Sequence, residues 1–82
     1  MEKEKFNEAL KEEERKLKRL RTLVAIAINI IRQADLSIED AYRIVEGVRR
    51  EALKLFPEKG DTFDLIYGSR FKRVIMEKFK LH

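Results

Sequence analysis

The 82-residue sequence predicts an all-α domain folded as a three-helix bundle. Three observations carry this. Apolar residues recur at intervals of three and four along nearly the whole chain, and nothing in it reads as a strand or a repeat. The helix breakers are confined: no Gly, Pro or Ser occurs between residues 2 and 34, and the only Pro lies at 57. Two short segments, 35–37 and 57–61, carry the punctuation of helix ends. The expected helices span about 2–34, 38–56 and 62–80 of a single domain.

The first helix carries a heptad seam. Phe6, Leu10, Glu13, Leu17, Leu20, Val24, Ala27 and Ile31 follow a 4-3-4-3 spacing in which Glu13 is the one polar member. From Leu23 a second stripe appears, Leu23–Ile26–Ile30, about 100° from the first. Two stripes suit a helix that touches two neighbours at once. Thr22, Ala25, Asn29 and Arg32 are left to face water. The short 35–37 joint favours an antiparallel hairpin that sets helix 2 beside residues 17–34. Residues 2–16 then overhang as a projecting arm. It can fray, lie under helix 3, or pair with a second copy. Because the seam keeps its spacing through the overhang, the expectation is pairing, with Phe6, Leu10, Glu13 and Leu17 as the self-association residues.

Helix 2 has the plainest pattern. Ser37 followed by Asp40 is a capping-box variant that starts a helix at Ile38. Ile38, Ala41, Tyr42, Val45, Val48, Ala52, Leu53 and Phe56 fall on one half of the wheel. Glu39, Arg43, Glu46, Arg50 and Lys54 fall on the other, with Glu39–Arg43 and Glu46–Arg50 in i,i+4 order.

Helix 3 is expected to take Asp61 or Thr62 as its N-cap. Phe63, Tyr67, Phe71, Val74 and Leu81 make its core stripe, with Ile75 at the edge. Gly68-Ser69 weakens the middle and invites a bend. Leu65, Met76 and Phe79 lie off the stripe and form a candidate partner groove.

Composition excludes much chemistry. Without Cys there is neither a disulfide framework nor a thiolate metal site. The single His is the last residue, His82, so the Ser-His-Asp and zinc constellations lack their imidazole. The Gly residues 47, 60 and 68 make no phosphate loop. Glu12, Glu13 and Glu14 point around the helix and pair with bases one turn on, as Glu12–Lys16 and Glu14–Lys18. No catalytic residue, metal or cofactor is expected. The apolar run 22–31 covers about 15 Å as a helix, half of what a bilayer requires, and six Glu precede it, so neither a membrane anchor nor a signal peptide is expected.

Two function classes remain. The first is a small cytoplasmic assembly module that contacts another helical protein or, through helix 1, a second copy of itself. The alternative is a small basic nucleic-acid-binding accessory protein. Its phosphate contacts would come from two clusters, Arg15, Lys16, Lys18, Arg19 and Arg21 on helix 1 and Arg70, Lys72 and Arg73 on helix 3. Net charge is +4, and Asn and Gln are scarce, which suits backbone contact rather than base reading.

Overall fold

The protein is described by a computed structural model covering residues 2–80, and it is a three-helix arrangement. Helix α1 spans Glu2–Gln33 and α2 spans Ile38–Leu55. The third helix is composite: α3 (Gly60–Phe63), a π-helical segment (Asp64–Gly68) and α4 (Ser69–Phe79). Helical dihedrals run through both junctions, from Phe63 (φ −58°, ψ −49°) to Ser69 (φ −61°, ψ −41°), so Gly68-Ser69 does not break it.

The joints follow local chemistry. Ser37 accepts from the Asp40 amide at 3.1 Å while the Asp40 carboxylate accepts from the Ser37 amide at 3.4 Å, the reciprocal box that starts α2. At the far end, the bulk of Pro57 keeps the preceding Phe56 out of the helical region (φ −135°, ψ 78°) and ends α2 there. The Lys59 amide then bonds the Phe56 carbonyl, and the Phe63 amide bonds Lys59. This turn starts the third helix at Gly60, earlier than expected. Neither Asp61 nor Thr62 caps it, since the cap position is Lys59 and makes no side-chain cap bond.

The core sits where three helix faces meet. Leu20, Val24, Ala27 and Ile31 of α1 bury against Ala41, Val48 and Ala52 of α2 and Phe63, Phe71, Val74 and Ile75 of the third helix. Among the described residues no buried side chain is polar or charged. Burying each large apolar side chain contributes roughly 1.5–3 kcal/mol, so the seam of α1 and the aromatic face of the third helix hold the bundle. The Lys78 ammonium donates to the carbonyl of Ala34, one of the unpaired carbonyls at the end of α1, and ties α4 alongside it.

The π-helical segment corrects the expected face of helix 3. In an uninterrupted α-helix Phe63 and Phe71 lie about 80° apart around the axis. A π turn takes up one more residue, shown here by the Ser69 amide bonding the Asp64 carbonyl. That extra residue brings Phe63 and Phe71 onto one line, and Ile75 moves from the edge to the centre of the core, with no exposure at all. Tyr67 drops to half-buried, its ring 5.6 Å from that of Phe63. Leu81, placed in the stripe by the sequence, and His82 lie outside the described residues.

Helix α1 does have two neighbours, but not through two apolar stripes. Ile26 and Ile30 stay exposed and Leu23 is half-buried. The third helix settles on the other flank of the seam, where Ala25, Ile28 and Arg32 face Arg70, Arg73 and Val74. The surface ion pairs also differ in spacing from the expectation: Arg15–Glu12, Lys16–Glu13, Arg43–Asp40 and Lys54–Glu51 are all i,i+3 pairs. Residues three and four apart are both neighbours on a helix surface, so either spacing brings the charges together.

Residues 3–15 of α1 are exposed all round, and Leu20 is the first buried position. The molecule accordingly measures 54 × 22 × 17 Å, with a radius of gyration of 15.3 Å. A compact domain of this length would have a radius near 12 Å. The excess is the arm, about 22 Å of helix beyond the bundle.

Candidate functional site: the uncovered arm and an arginine-lined groove

Two surfaces stand out, and both belong to α1. The arm presents Phe6, Leu10 and Leu17 in line, 65%, 46% and 39% exposed, with Glu13 between them on the same seam. Among the described residues none covers Phe6 or Leu10, and Leu17 is covered only in part at the root, so the line of side chains that builds the core continues into solvent for two further heptads. Exposed apolar side chains scattered singly are ordinary, whereas a continuous stripe on a projecting helix is a contact surface without its partner.

At its root the arm opens into an apolar groove of about 220 Å³ at the end of the bundle. Leu17 and Leu20 from α1, Leu53 and Phe56 from the end of α2, and Phe63 and Tyr67 from the third helix line it. Lys16 marks the junction. Its ammonium lies 3.9 Å from the Glu13 carboxylate and 6.0 Å from the centre of the Phe56 ring. The arm is thus tethered to the bundle on the flank of the seam while the seam itself stays open.

The second surface is a broader groove of about 730 Å³ between α1 and the third helix. Arg21 and Arg32 line it from α1, Arg70 and Arg73 from α4, and Asn29, Tyr67 and the lone acid Glu77 complete its polar rim. Because the start of the third helix shares a groove with Leu17 and Leu20 while Lys78 near its end reaches Ala34, the two helices run in the same direction here. The four guanidinium groups are therefore staggered along about 16 Å of the groove, the rise of eleven helical residues. Among the described residues none of the four is in an ion pair.

The two basic clusters thus converge only in part. Arg21 joins Arg70 and Arg73, whereas Arg15 and Lys16 are engaged by Glu12 and Glu13, and Lys18, Arg19 and Lys72 are exposed and do not line the groove. Arg32 was not among the expected contacts, although it lies three turns from Arg21 and so on the same face. Sequence clusters identify neighbours along a helix and miss a basic residue that arrives from eleven positions away.

The third expectation, a groove of Leu65, Met76 and Phe79, is dispersed. Leu65 is 76% exposed in the π-helical segment, Met76 is half-buried, and Phe79 packs on the core beside its own cation, Lys78, 5.7 Å from the ring centre.

No protein-family model, curated protein or solved structure matches the chain. Fold and surface describe an all-α three-helix arrangement whose first helix projects beyond the other two. Among the described residues no helix is long and apolar enough to cross a membrane.

Proposed function

We propose that the protein is a non-catalytic cytoplasmic assembly module that self-associates through the arm of α1. One observation carries the reading. The seam that builds the core runs on without change of spacing past the point where the bundle stops, leaving Phe6, Leu10 and Leu17 exposed in register with it. A helix of about 15 residues is marginal in water by itself, and packing an apolar face is what stabilises most helices in proteins. A second helix laid on this seam supplies that packing. Sedimentation equilibrium tests it: the wild type should weigh about twice the 9.8 kDa chain, and Phe6→Asp/Leu10→Asp should return to single-chain mass with its bundle helicity kept. A wild type of single-chain mass at every loading would rule the reading out.

A second reading draws on the groove of Arg21, Arg32, Arg70 and Arg73, whose staggered, unpaired cations suit a phosphodiester backbone, with Tyr67 available for stacking. Four phosphate contacts predict a slope near −3 for the logarithm of the affinity for single-stranded nucleic acid against the logarithm of salt. Arg70→Glu/Arg73→Glu should abolish that binding, and Arg15→Glu/Lys18→Glu should weaken it far less. Equal losses in the two variants would show that the groove is not the site.

A further inference from the structure

We infer that the second copy lies antiparallel to the first, with Phe6 of each chain across from the partner's Leu17 and Leu10 across from the partner's Glu13. The inference rests on the self-association reading and adds its orientation and register.

Symmetry makes the first argument. The exposed part of the seam, Phe6, Leu10, Glu13 and Leu17, is spaced 4-3-4 and reads the same from either end. A two-fold axis passing between residues 11 and 12 maps the four positions onto themselves, as an isologous contact between identical chains requires.

Charge makes the second. In a parallel, in-register pair, Glu13 would face the partner's Glu13 across the apolar seam, and the five bases of residues 15–21 would lie along the same five bases of the other chain. Like charges placed together select against an arrangement. In the antiparallel pair the five bases of 15–21 lie along residues 2–8, which hold three acids and two bases. The Glu12–Glu14 triplet then lies along Ala9, Leu10 and Lys11 instead of along itself. Lys16, 3.9 Å from Glu13, draws that carboxylate to the flank and leaves the seam to the apolar members.

The groove makes the third. Antiparallel overlap carries the partner's Phe6 to the height of Leu17, where the apolar groove of about 220 Å³ opens at the end of the bundle. An apolar cavity of about 150 Å³ already holds a benzene ring. The groove can therefore receive the aromatic side chain that is most exposed on the arm. A parallel pair would leave the two Phe6 rings against each other, far from either groove.

The chain has no Cys, so introduced thiols report without background. Leu10→Cys and Glu13→Cys chains are mixed, oxidised and run without reductant, with solution mass measured on the same samples. The mixed disulfide should exceed either self-disulfide at least ten-fold. Since both positions lie in the seam, a spin label on Lys5→Cys repeats the measurement on an intact seam. It should read about 20 Å or more between copies, against about 10 Å for a parallel pair, given 1.5 Å of rise per residue. A dimeric mass with Leu10→Cys self-disulfides and the short label distance overturns the orientation and leaves self-association standing. A dimeric mass with neither disulfide, or with a long distance but no mixed product, overturns the register. Single-chain mass for the wild type and both variants overturns the inference together with the reading beneath it.

Discussion

Arg49 and Asp64 join α2 to the start of the π-helical segment through a paired contact, with Nε donating to Oδ1 at 2.7 Å and Nη2 to Oδ2 at 3.0 Å. Two parallel bonds fix the geometry better than an ordinary surface pair, although both side chains are well exposed and solvent screens them. The bond from Arg49 holds the Asp64 carboxyl below its usual 3.8, with partial desolvation opposing, and the same bond raises the Arg49 guanidinium. A lowered folded-state value means that the unfolded chain binds the proton more tightly. The contribution is therefore complete above about pH 4 and is lost as pH falls through the lowered value. Asp64→Asn should unfold at lower denaturant concentration than the wild type near neutral pH, and the gap should narrow progressively as pH falls below the usual carboxylate value of 3.8. A gap of constant width in urea titrations across that range would contradict the assignment. Gly47, midway along α2, gives a second residue-scale prediction. A Cβ added there meets nothing within 4 Å, so Gly47→Ala should raise stability by about 0.5–1 kcal/mol, the helix-propensity difference, in the same titrations.

The elements divide into those whose local pattern settles them and one whose phase depends on its neighbours. Helices α1 and α2 follow directly from spacing and capping chemistry: the seam from Leu20 to Ile31, the Ser37–Asp40 box and the Pro57 stop are all local signals. The third helix is different. Its π-helical turn is not written in a propensity, since Asp64, Leu65, Ile66, Tyr67 and Gly68 carry no pattern that distinguishes π from α geometry. The turn satisfies a packing demand, bringing Phe63 and Phe71 to one face, and a wheel drawn at constant pitch therefore misplaces Ile75. The same blindness to tertiary placement hid Arg32 from the basic clusters and gave Ile26 and Ile30 a neighbour they do not have. The burial pattern of the third helix has a measurable consequence. Phe71→Ala should cost about 3–5 kcal/mol, as loss of a fully buried aromatic side chain does. Leu65→Ala, on the face the π turn leaves in water, should change stability by no more than about 0.5 kcal/mol. A comparable loss in both would contradict the burial of Phe71 and the exposure of Leu65 on the composite helix.

At the scale of the whole molecule the arm and the bundle are one helix with two environments. The packed half of α1 supplies the costly helical nucleus, so the arm only has to propagate from it. What the arm lacks is a covering for its apolar side, and the spacing that makes residues 20–31 a core makes residues 6–17 a surface awaiting one. The arginine groove lies on the flank of the seam that faces the third helix and meets the apolar groove at Tyr67, so pairing of arms leaves Arg32, Arg70 and Arg73 open. Association and anion binding then share Arg21 and Tyr67 while Arg32, Arg70 and Arg73 belong to the second groove alone, and Phe6→Asp should leave any salt-dependent binding by Arg70 and Arg73 in place except where two grooves act together.

Amide hydrogen exchange followed across protein concentration tests, at the arm itself, whether a second copy covers it. Amides of residues 6–17 should gain protection as concentration rises, while those around Ile31, Phe71 and Ile75 stay equally protected throughout. Arm amides that exchange at the rate of an unprotected chain at every concentration, beside a protected core, would contradict it.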